Sequence, residues 1–194
     1  MIVAVPSLLT AVRAEPGAAP DRRERAWIRE AQRGSAVALE HLFRSHWPRA
    51  YRTALLVVGD AAAAEDIAQE SFLAAVRALD RFDRRRPFGP WLHRIVVNRA
   101  IDWARARTLR RELAGVDAPE PIAREREPSA QGRELATALA ELGPEHRAVI
   151  VLRYLLDYTP GEIAELLELP RGTVNSRLRR GLDRLETVLR EEHQ

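Results

Sequence analysis

Apolar residues recur at three- and four-residue spacing from Arg25 to Arg111 and again from Arg133 almost to the end of the chain. Nowhere do they alternate with polar residues as a half-buried strand requires, so the pattern predicts an all-α protein. Between these stretches, residues 112–132 lose the periodicity and carry Pro119, Pro121 and Pro128 among Glu and Ala, which reads as a flexible linker between two small helical domains. Residues 112–127 hold five acids against two arginines, a charge of −3, so the tether is acidic. Met1 to Val5 form an apolar run that lacks a basic flank and is broken by Pro6, which reads as a disordered extension and not as a signal peptide. The expected organisation is an extension over 1–24, a helical domain over 25–111, the linker over 112–132 and a second helical domain over 133–194.

Residues 159–180 predict two short helices joined by a tight turn. Thr159 suits the N-cap, Pro160 the first helical position and Glu162 the reciprocal position of a capping box. Ile163, Ala164 and Leu167 are expected to face inward, with Ala164 small where the helices cross. After Glu168 and Leu169, Pro170 opens a helix whose Val174, Leu178, Leu182 and Leu185 pack against the first. Its outward face carries Arg171, Asn175 and Arg179 in one row, with Gly172, Ser176 and Arg180 beside it. Such a row of donors suits bidentate pairing to base edges and charge pairing to phosphates. From Arg171 to Arg184 five arginines oppose Asp183 alone, a local charge of +4. An ordinary bundle with a solvated arginine face is the plain alternative. Cap, turn, small crossing residue and one-sided arginines agree, however, and together they favour a DNA-reading helix-turn-helix.

The first domain carries two informative helices. In residues 64–79 the stripe Ile67, Ser71, Phe72, Ala75, Val76 and Leu79 is expected in the core, while Asp66, Gln69, Glu70 and Arg77 line the other side. An acidic, amide-bearing face repels DNA and suits a basic protein partner; taken alone it is better explained as a solvated face. Next comes a loop of turn formers and arginines, with Arg81, Arg84, Arg85 and Arg86 ahead of Pro87 and Pro90. The following helix, 91–107, places Leu92, Ile95, Val96, Ala100 and Trp103 inward and Arg94, Asn98 and Arg105 outward, with Asp102 near them. Arginines and an amide beside a basic loop and aromatics match what unpaired DNA needs: backbone charge, stacking and pockets for bases. Phe88, Trp91 and Trp103 are individually better explained as core.

Composition narrows the classes. The 194 residues are 46% hydrophobic and 30% charged, as in a globular chain, with no apolar stretch long enough to span a membrane. Net charge is only +3, yet the isoelectric point is about 10.1 because all 31 basic residues are arginine. No cysteine is present, which removes disulfides and thiolate metal sites, and the five histidines show no metal-ligand spacing.

Read in order, the motifs at 64–72, at 87–95 with Asn98 and Asp102, at 139–147 and at 172–178 closely resemble the extracytoplasmic-function group of bacterial sigma factors, over roughly Arg25 to Arg190. The resemblance implies a cytoplasmic sigma subunit that binds core RNA polymerase, directs it to a promoter and opens the duplex, with no catalysis and no cofactor of its own. It implies that Asp66, Gln69 and Glu70 dock on the polymerase clamp helices. The loop arginines Arg81, Arg84, Arg85 and Arg86, with Arg94, Asn98, Asp102 and Arg105, would capture the melted minus-ten element as single strand. Arg171, Asn175, Ser176 and Arg179 would read the double-stranded minus-thirty-five element, with Thr173, Arg177 and Arg180 on phosphates. A helix from Arg147 to Leu156 would support that unit and meet the polymerase flap, and an anti-sigma factor would be a further partner. Two departures from the family pattern stand out. Glu168 occupies a turn position usually given to glycine, so a positive φ is not expected there, and Asn175 replaces a usual lysine. The rival classes are a two-domain helix-turn-helix regulator, which needs a ligand pocket or dimer face, and a nuclease, which needs convergent carboxylates around a metal.

Overall fold

The structure is a computed structural model that describes residues 22–114 and 130–191, and the regular elements within them are all helical. The helices are α1 (Arg22–Ala31), α2 (Ala36–Val58), α3 (Ala61–Ala78), α4 (Phe88–Ala114), α5 (Ala130–Ala140), α6 (Pro144–Ile150), α7 (Pro160–Leu167) and α8 (Arg171–Glu191). A 3-10 turn (Leu79–Arg81) follows α3 and a π-helical turn (Val151–Leu155) follows α6. The all-α expectation holds. The extension as far as residue 21 and the linker residues 115–129 lie outside the described residues. Helix α1 begins at Arg22, inside the stretch expected to be extension, because Arg23 lies over the Trp27 ring, 5.5 Å from its centroid, and Glu24 faces His46 at 3.7 Å.

Local chemistry fixes the element ends in the first half. Ser35 caps α2 by accepting from the Ala38 amide at 3.3 Å. Gly59 ends that helix in the left-handed region (φ 72°), returning its N–H to the Leu55 carbonyl at 2.8 Å. Asp60 then caps α3 through the Ala63 amide at 3.0 Å, so one residue pair closes a helix and opens the next. Helices α1 to α4 bury Ile28, Leu42, Val57, Phe72, Leu92 and Val96 against one another. Val76, expected in that core, is 45% exposed: the helix turns toward Phe72 and Ala75, and Val76 falls on the solvent side with Leu73.

In the second half, the capping box at Thr159 forms as expected, with Thr159 Oγ1 accepting from the Glu162 amide at 3.3 Å and Glu162 accepting from the Thr159 amide at 2.7 Å. Ile163, Val174 and Leu185 are fully buried, and Leu166 is buried where Leu167 was expected. Ala164 is half-buried. The tightest approach lies elsewhere, at Gly181 of α8, where a Cβ would meet Ile150 Cγ1 at 3.0 Å. Glu168 does take a positive φ, 53°, because the Leu169 amide must return to the Ala164 carbonyl (2.9 Å) to finish α7, whatever side chain stands at the turn. The expected helix 147–156 starts earlier, at Pro144, and changes pitch at Val151, where the Leu156 amide reaches back five residues to the Val151 carbonyl at 3.1 Å.

The two halves pack together, with α4 between α2 and α3 on one side and α6 and α7 on the other. The Arg147 guanidinium donates to the Val57 carbonyl (2.9 Å) at the end of α2 and to the carbonyls of Ala140 (2.7 Å) and Leu142 (3.0 Å) at the end of α5. Arg49 reaches the Leu156 carbonyl at 3.1 Å. His93, 2% exposed, shares a 2.8 Å hydrogen bond between its Nδ1 and the Tyr158 hydroxyl, and its Nε2 has no partner among the described residues. Burial, then the charges of Arg49 and His46, lower the His93 pKa to about 3, while burial pushes the Tyr158 hydroxyl up, so both are neutral at physiological pH.

A pH dependence follows with a definite sign. Below about pH 6.5 an exposed His93 binds a proton that the packed molecule refuses until about pH 3, so the packed state loses stability as pH falls through that window. One full proton corresponds to ~1.4 kcal/mol per pH unit. Urea unfolding between pH 7 and pH 5 is expected to give a shallower stability slope for His93→Gln than for the parent chain; parallel slopes would show that His93 is not the group responsible.

Candidate nucleic-acid interface

Four surfaces carry the candidate residues. On α3, Asp66, Gln69 and Glu70 are all exposed, because Ile67, Ala68 and Ser71 take the inward positions between them. The Ser71 hydroxyl donates to the Ile67 carbonyl at 2.6 Å, which removes its polarity from the core. Glu70 accepts from Arg99 of α4 at 2.8 Å, and Leu73, 55% exposed, continues the same face toward the C-terminus of α3. This is an acidic strip with an apolar end.

The loop from Arg81 to Pro87 is ordered by its own short-range chemistry. Asp83 accepts from the Arg85 amide at 2.9 Å through its side chain and from the Arg86 amide at 2.9 Å through its carbonyl. The side-chain amide of Gln32, in the turn after α1, donates to the carbonyls of Leu79 (2.9 Å) and Phe82 (3.0 Å), pinning the loop's start. Phe82 and Phe88 are buried edge to face at 5.8 Å, and Phe82 also meets Trp91 at 4.6 Å. These rings hold the two ends of the loop together while Arg81, Arg84, Arg85 and Arg86 point to solvent.

On α4, Asn98, Asp102 and Arg105 are exposed and Arg94 is half-buried. The structure ties two residues of this face to the second half of the chain. Arg94 pairs with Glu168 in the turn after α7, and Arg105 pairs with Glu145 in the first turn of α6 and lies 3.7 Å from Asp102. Hydrogen bonding from Arg105 holds the Glu145 carboxyl below its ordinary range. A cleft between the loop and α7 is lined by Arg86, Pro87, Trp91 and Arg94 on one wall and by Tyr158, Glu162 and Glu165 on the other.

On α8, Arg171, Asn175, Ser176, Arg179 and Arg180 are exposed and Thr173 and Arg177 are half-buried. Val174 and Leu178 face inward between them, so helical spacing turns the exposed set to one side. The Ser176 hydroxyl donates to the Thr173 carbonyl at 3.0 Å. This surface is separate from the α3 strip, and nothing in the chain covers it among the described residues.

Sequence reasoning missed His93, Tyr158, Glu145 and Arg147 as joining residues. His93 meets Tyr158 across 65 residues, Glu145 meets Arg105 across 40 and Arg147 meets Val57 across 90, and no local period signals such a meeting. The one available hint was that His93 interrupts an otherwise apolar sector of α4 between Leu92 and Val96.

Comparison with known proteins identifies the family. The Sigma-70 region 2 family matches residues 42–110 and the Sigma-70 region 4 family matches residues 132–185. The ECF RNA polymerase sigma factor SigW of Bacillus subtilis is 31% identical over 181 residues, covering 84% of this chain and 95% of its own length. The ECF RNA polymerase sigma factor SigL of Mycobacterium tuberculosis is 35% identical over 166 residues, covering 83% and 94%. Among solved structures, CnrH in complex with the cytosolic domain of CnrY aligns over 87% of this chain and 98% of that one, with a TM-score of 0.64 and 29% identity. The sigma factor RpoE of Bartonella quintana, solved with the anti-sigma factor NepR, shares the fold with a TM-score of 0.66 over 78% of this chain and 96% of that one, at 22% identity. The chain belongs to the extracytoplasmic-function group of RNA polymerase sigma factors, and its work is to bind core RNA polymerase and direct it to promoter DNA.

Proposed function

We propose that the four surfaces divide the work of initiation between two units, 22–114 and 130–191. The α3 strip of Asp66, Gln69 and Glu70 docks on the polymerase clamp. The loop and the α4 face take the melted minus-ten strand, and α8 reads the minus-thirty-five element. What carries this reading is the segregation of charge: exposed arginines on the loop, α4 and α8, and exposed acids on α3, each held outward by a buried apolar stripe of the same helix. The protein performs no catalysis in this reading and acts in the cytoplasm. Among the described residues no helix is long and apolar enough to cross a membrane. A protein partner that masks these faces, an anti-sigma factor, belongs to the same reading, since the CnrH structure holds its chain against the cytosolic domain of another protein.

Reversing Asp66 and Glu70 to arginine is expected to leave the helical content and melting temperature close to the parent's, because both side chains are exposed and the Glu70–Arg99 pair is a surface pair worth under ~1 kcal/mol. Co-purification with core polymerase should be lost. Retention of polymerase would return this strip to a solvated face and favour a helix-turn-helix regulator that works without polymerase.

For upstream readout, Arg171→Ala and Arg179→Ala should each weaken binding to the preferred element by about 1–3 kcal/mol and relax base preference at one position. Arg177→Ala should weaken all sequences alike and reduce the salt slope. Equal losses on every sequence for all three variants would mean that none of these arginines reads bases.

Strand opening gives the sharpest test. Replacing residues 84–86 with Gly/Ser should spare polymerase binding and duplex recognition yet block opening, and a template mismatched beforehand over the minus-ten region should rescue it because unpairing no longer has to be driven. Permanganate reactivity of unpaired thymines reads both templates; normal opening on the paired promoter would remove the loop from the mechanism.

A further inference from the structure

The arginine loop is rooted on a residue outside the matched family region. The Sigma-70 region 2 match begins at residue 42, whereas Gln32 stands ahead of it, in the turn after α1. Ile28 and Ala31 bury α1 against α2, and the Gln32 backbone N–H still completes that helix by donating to the Ile28 carbonyl at 2.9 Å. The side chain is therefore carried on a fixed base. Its Nε2 has two hydrogens and finds two acceptors, the carbonyls of Leu79 (2.9 Å) and Phe82 (3.0 Å), which flank the 3-10 turn from which the loop departs. Leu79 also receives the Phe82 amide at 2.9 Å, but among the described residues the Phe82 carbonyl has no other donor. A peptide unit is planar, so a held Phe82 carbonyl also orients the amide of Asp83. Asp83 is the next link, because its side chain and its carbonyl receive the Arg85 and Arg86 amides, both at 2.9 Å. One line of hydrogen bonds thus runs from the end of α1 to the arginines at 84–86, whose like charges would otherwise spread the loop apart.

We infer that Gln32 is a positioning residue for strand opening: its two donated hydrogen bonds set the direction in which the loop leaves the core, so that Arg84, Arg85 and Arg86 are in place before an unpaired strand arrives. This rests on the reading of the loop given above and names what holds that loop ready. Gln32 touches no DNA in this role. A loop ordered beforehand captures a strand without losing its own conformational freedom in the same step, whereas a loose one must be ordered as it binds. On a closed duplex that difference falls on opening, because capture of the unpaired strand has to offset the cost of unpairing. The rings of Phe82, Phe88 and Trp91 hold the two ends of the loop in either case. Losing the Gln32 bonds therefore frees the direction of the loop and leaves the core packed.

The test uses the full chain assembled with core polymerase. Gln32→Met and Gln32→Glu keep the length of the side chain and remove its donors, while Gln32→Lys keeps donors on a longer, flexible stem. On a fully paired promoter the Met and Glu variants should open about tenfold more slowly, read by permanganate reactivity of unpaired thymines, and the Lys variant should stay within about threefold of the parent. On a template mismatched beforehand over the minus-ten region all of them should open alike. Polymerase co-purification and duplex binding at the upstream element should not change, which a general loss of folding would not allow. Hydrogen exchange reads the loop directly: the amides of Arg85 and Arg86 should exchange faster in the Met and Glu variants while those of α2 and α4 keep their protection. Parental opening rates on the paired promoter would overturn the inference. So would slow opening with unchanged exchange at Arg85 and Arg86, because the effect would then not pass through the loop. An equal loss on both templates would mark a general defect, and a Lys variant as slow as Gln32→Met would show that donation to the carbonyls is not what acts; either overturns it. Unfolding of both donor-less variants would make Gln32 a residue of the fold alone and overturns it too. The Gly/Ser replacement of residues 84–86 separates this from the reading beneath it. Normal opening by that replacement removes the role of the loop itself, whereas blocked opening there with parental opening by Gln32→Met removes only the part given to Gln32.

Discussion

The half-buried guanidinium of Arg147 is the contact on which the arrangement of the two halves depends. Helix ends leave carbonyls without intrahelical partners, and α2 and α5 both end beside Arg147 of α6. Arg147 supplies three donor contacts there, to Val57, Ala140 and Leu142, and adds a positive charge where two helix dipoles are negative. Burial lowers its pKa to about 10, which still leaves it a cation at neutral pH. Leucine or methionine would fill the same volume and leave three carbonyls unsatisfied, each carrying a desolvation penalty of roughly 1–3 kcal/mol. Lysine would bring charge but no planar fork to span two helix ends.

Everything downstream takes its position from this anchor. With α6 fixed against the end of α2, the π-helical turn swings the chain so that Tyr158 reaches His93, and α7 then begins at its capping box facing α4. Gly181 lets α8 come within van der Waals reach of Ile150, which seats the reading helix on α6 with its arginines outward. The α4 face and the α8 face therefore differ although both are arginine-bearing: Arg94 and Arg105 of one are paired with acids of the second half, while the other lies on the far side of α8. A surface that is basic in sequence is thus not equivalent to a surface that is available.

Arginine serves several ends in this chain because one group combines permanent charge with a fixed set of donors. At Arg147 it caps helices, at Arg94 and Arg105 it pairs with carboxylates, and at Arg171 and Arg179 it is left free to face solvent. Burial and neighbours, not residue type, decide which of these it does. The same holds for the acids: Glu162 closes a capping box within its own helix, whereas Glu168, one turn and a half later, reaches across to the other half of the molecule.

The sequence by itself determined what depends on neighbours within a few residues. Helical periods, the cap at Thr159, the turn arginines after Asp83 and the one-sided faces of α3 and α8 are set by side-chain spacing and short-range hydrogen bonds, so they were legible without a fold. Family membership was legible too, since it rests on the order of such local motifs. Tertiary structure alone decided the rest. The exposure of Val76 and the burial of His93 each follow from how a helix is rotated against elements distant in sequence. Most of all, periodicity marks Arg94 and Arg105 as outward-facing but cannot say whether outward means solvent or another helix. That was settled by pairs 74 and 40 residues apart, whose meeting is a property of packing and leaves no trace in local spacing.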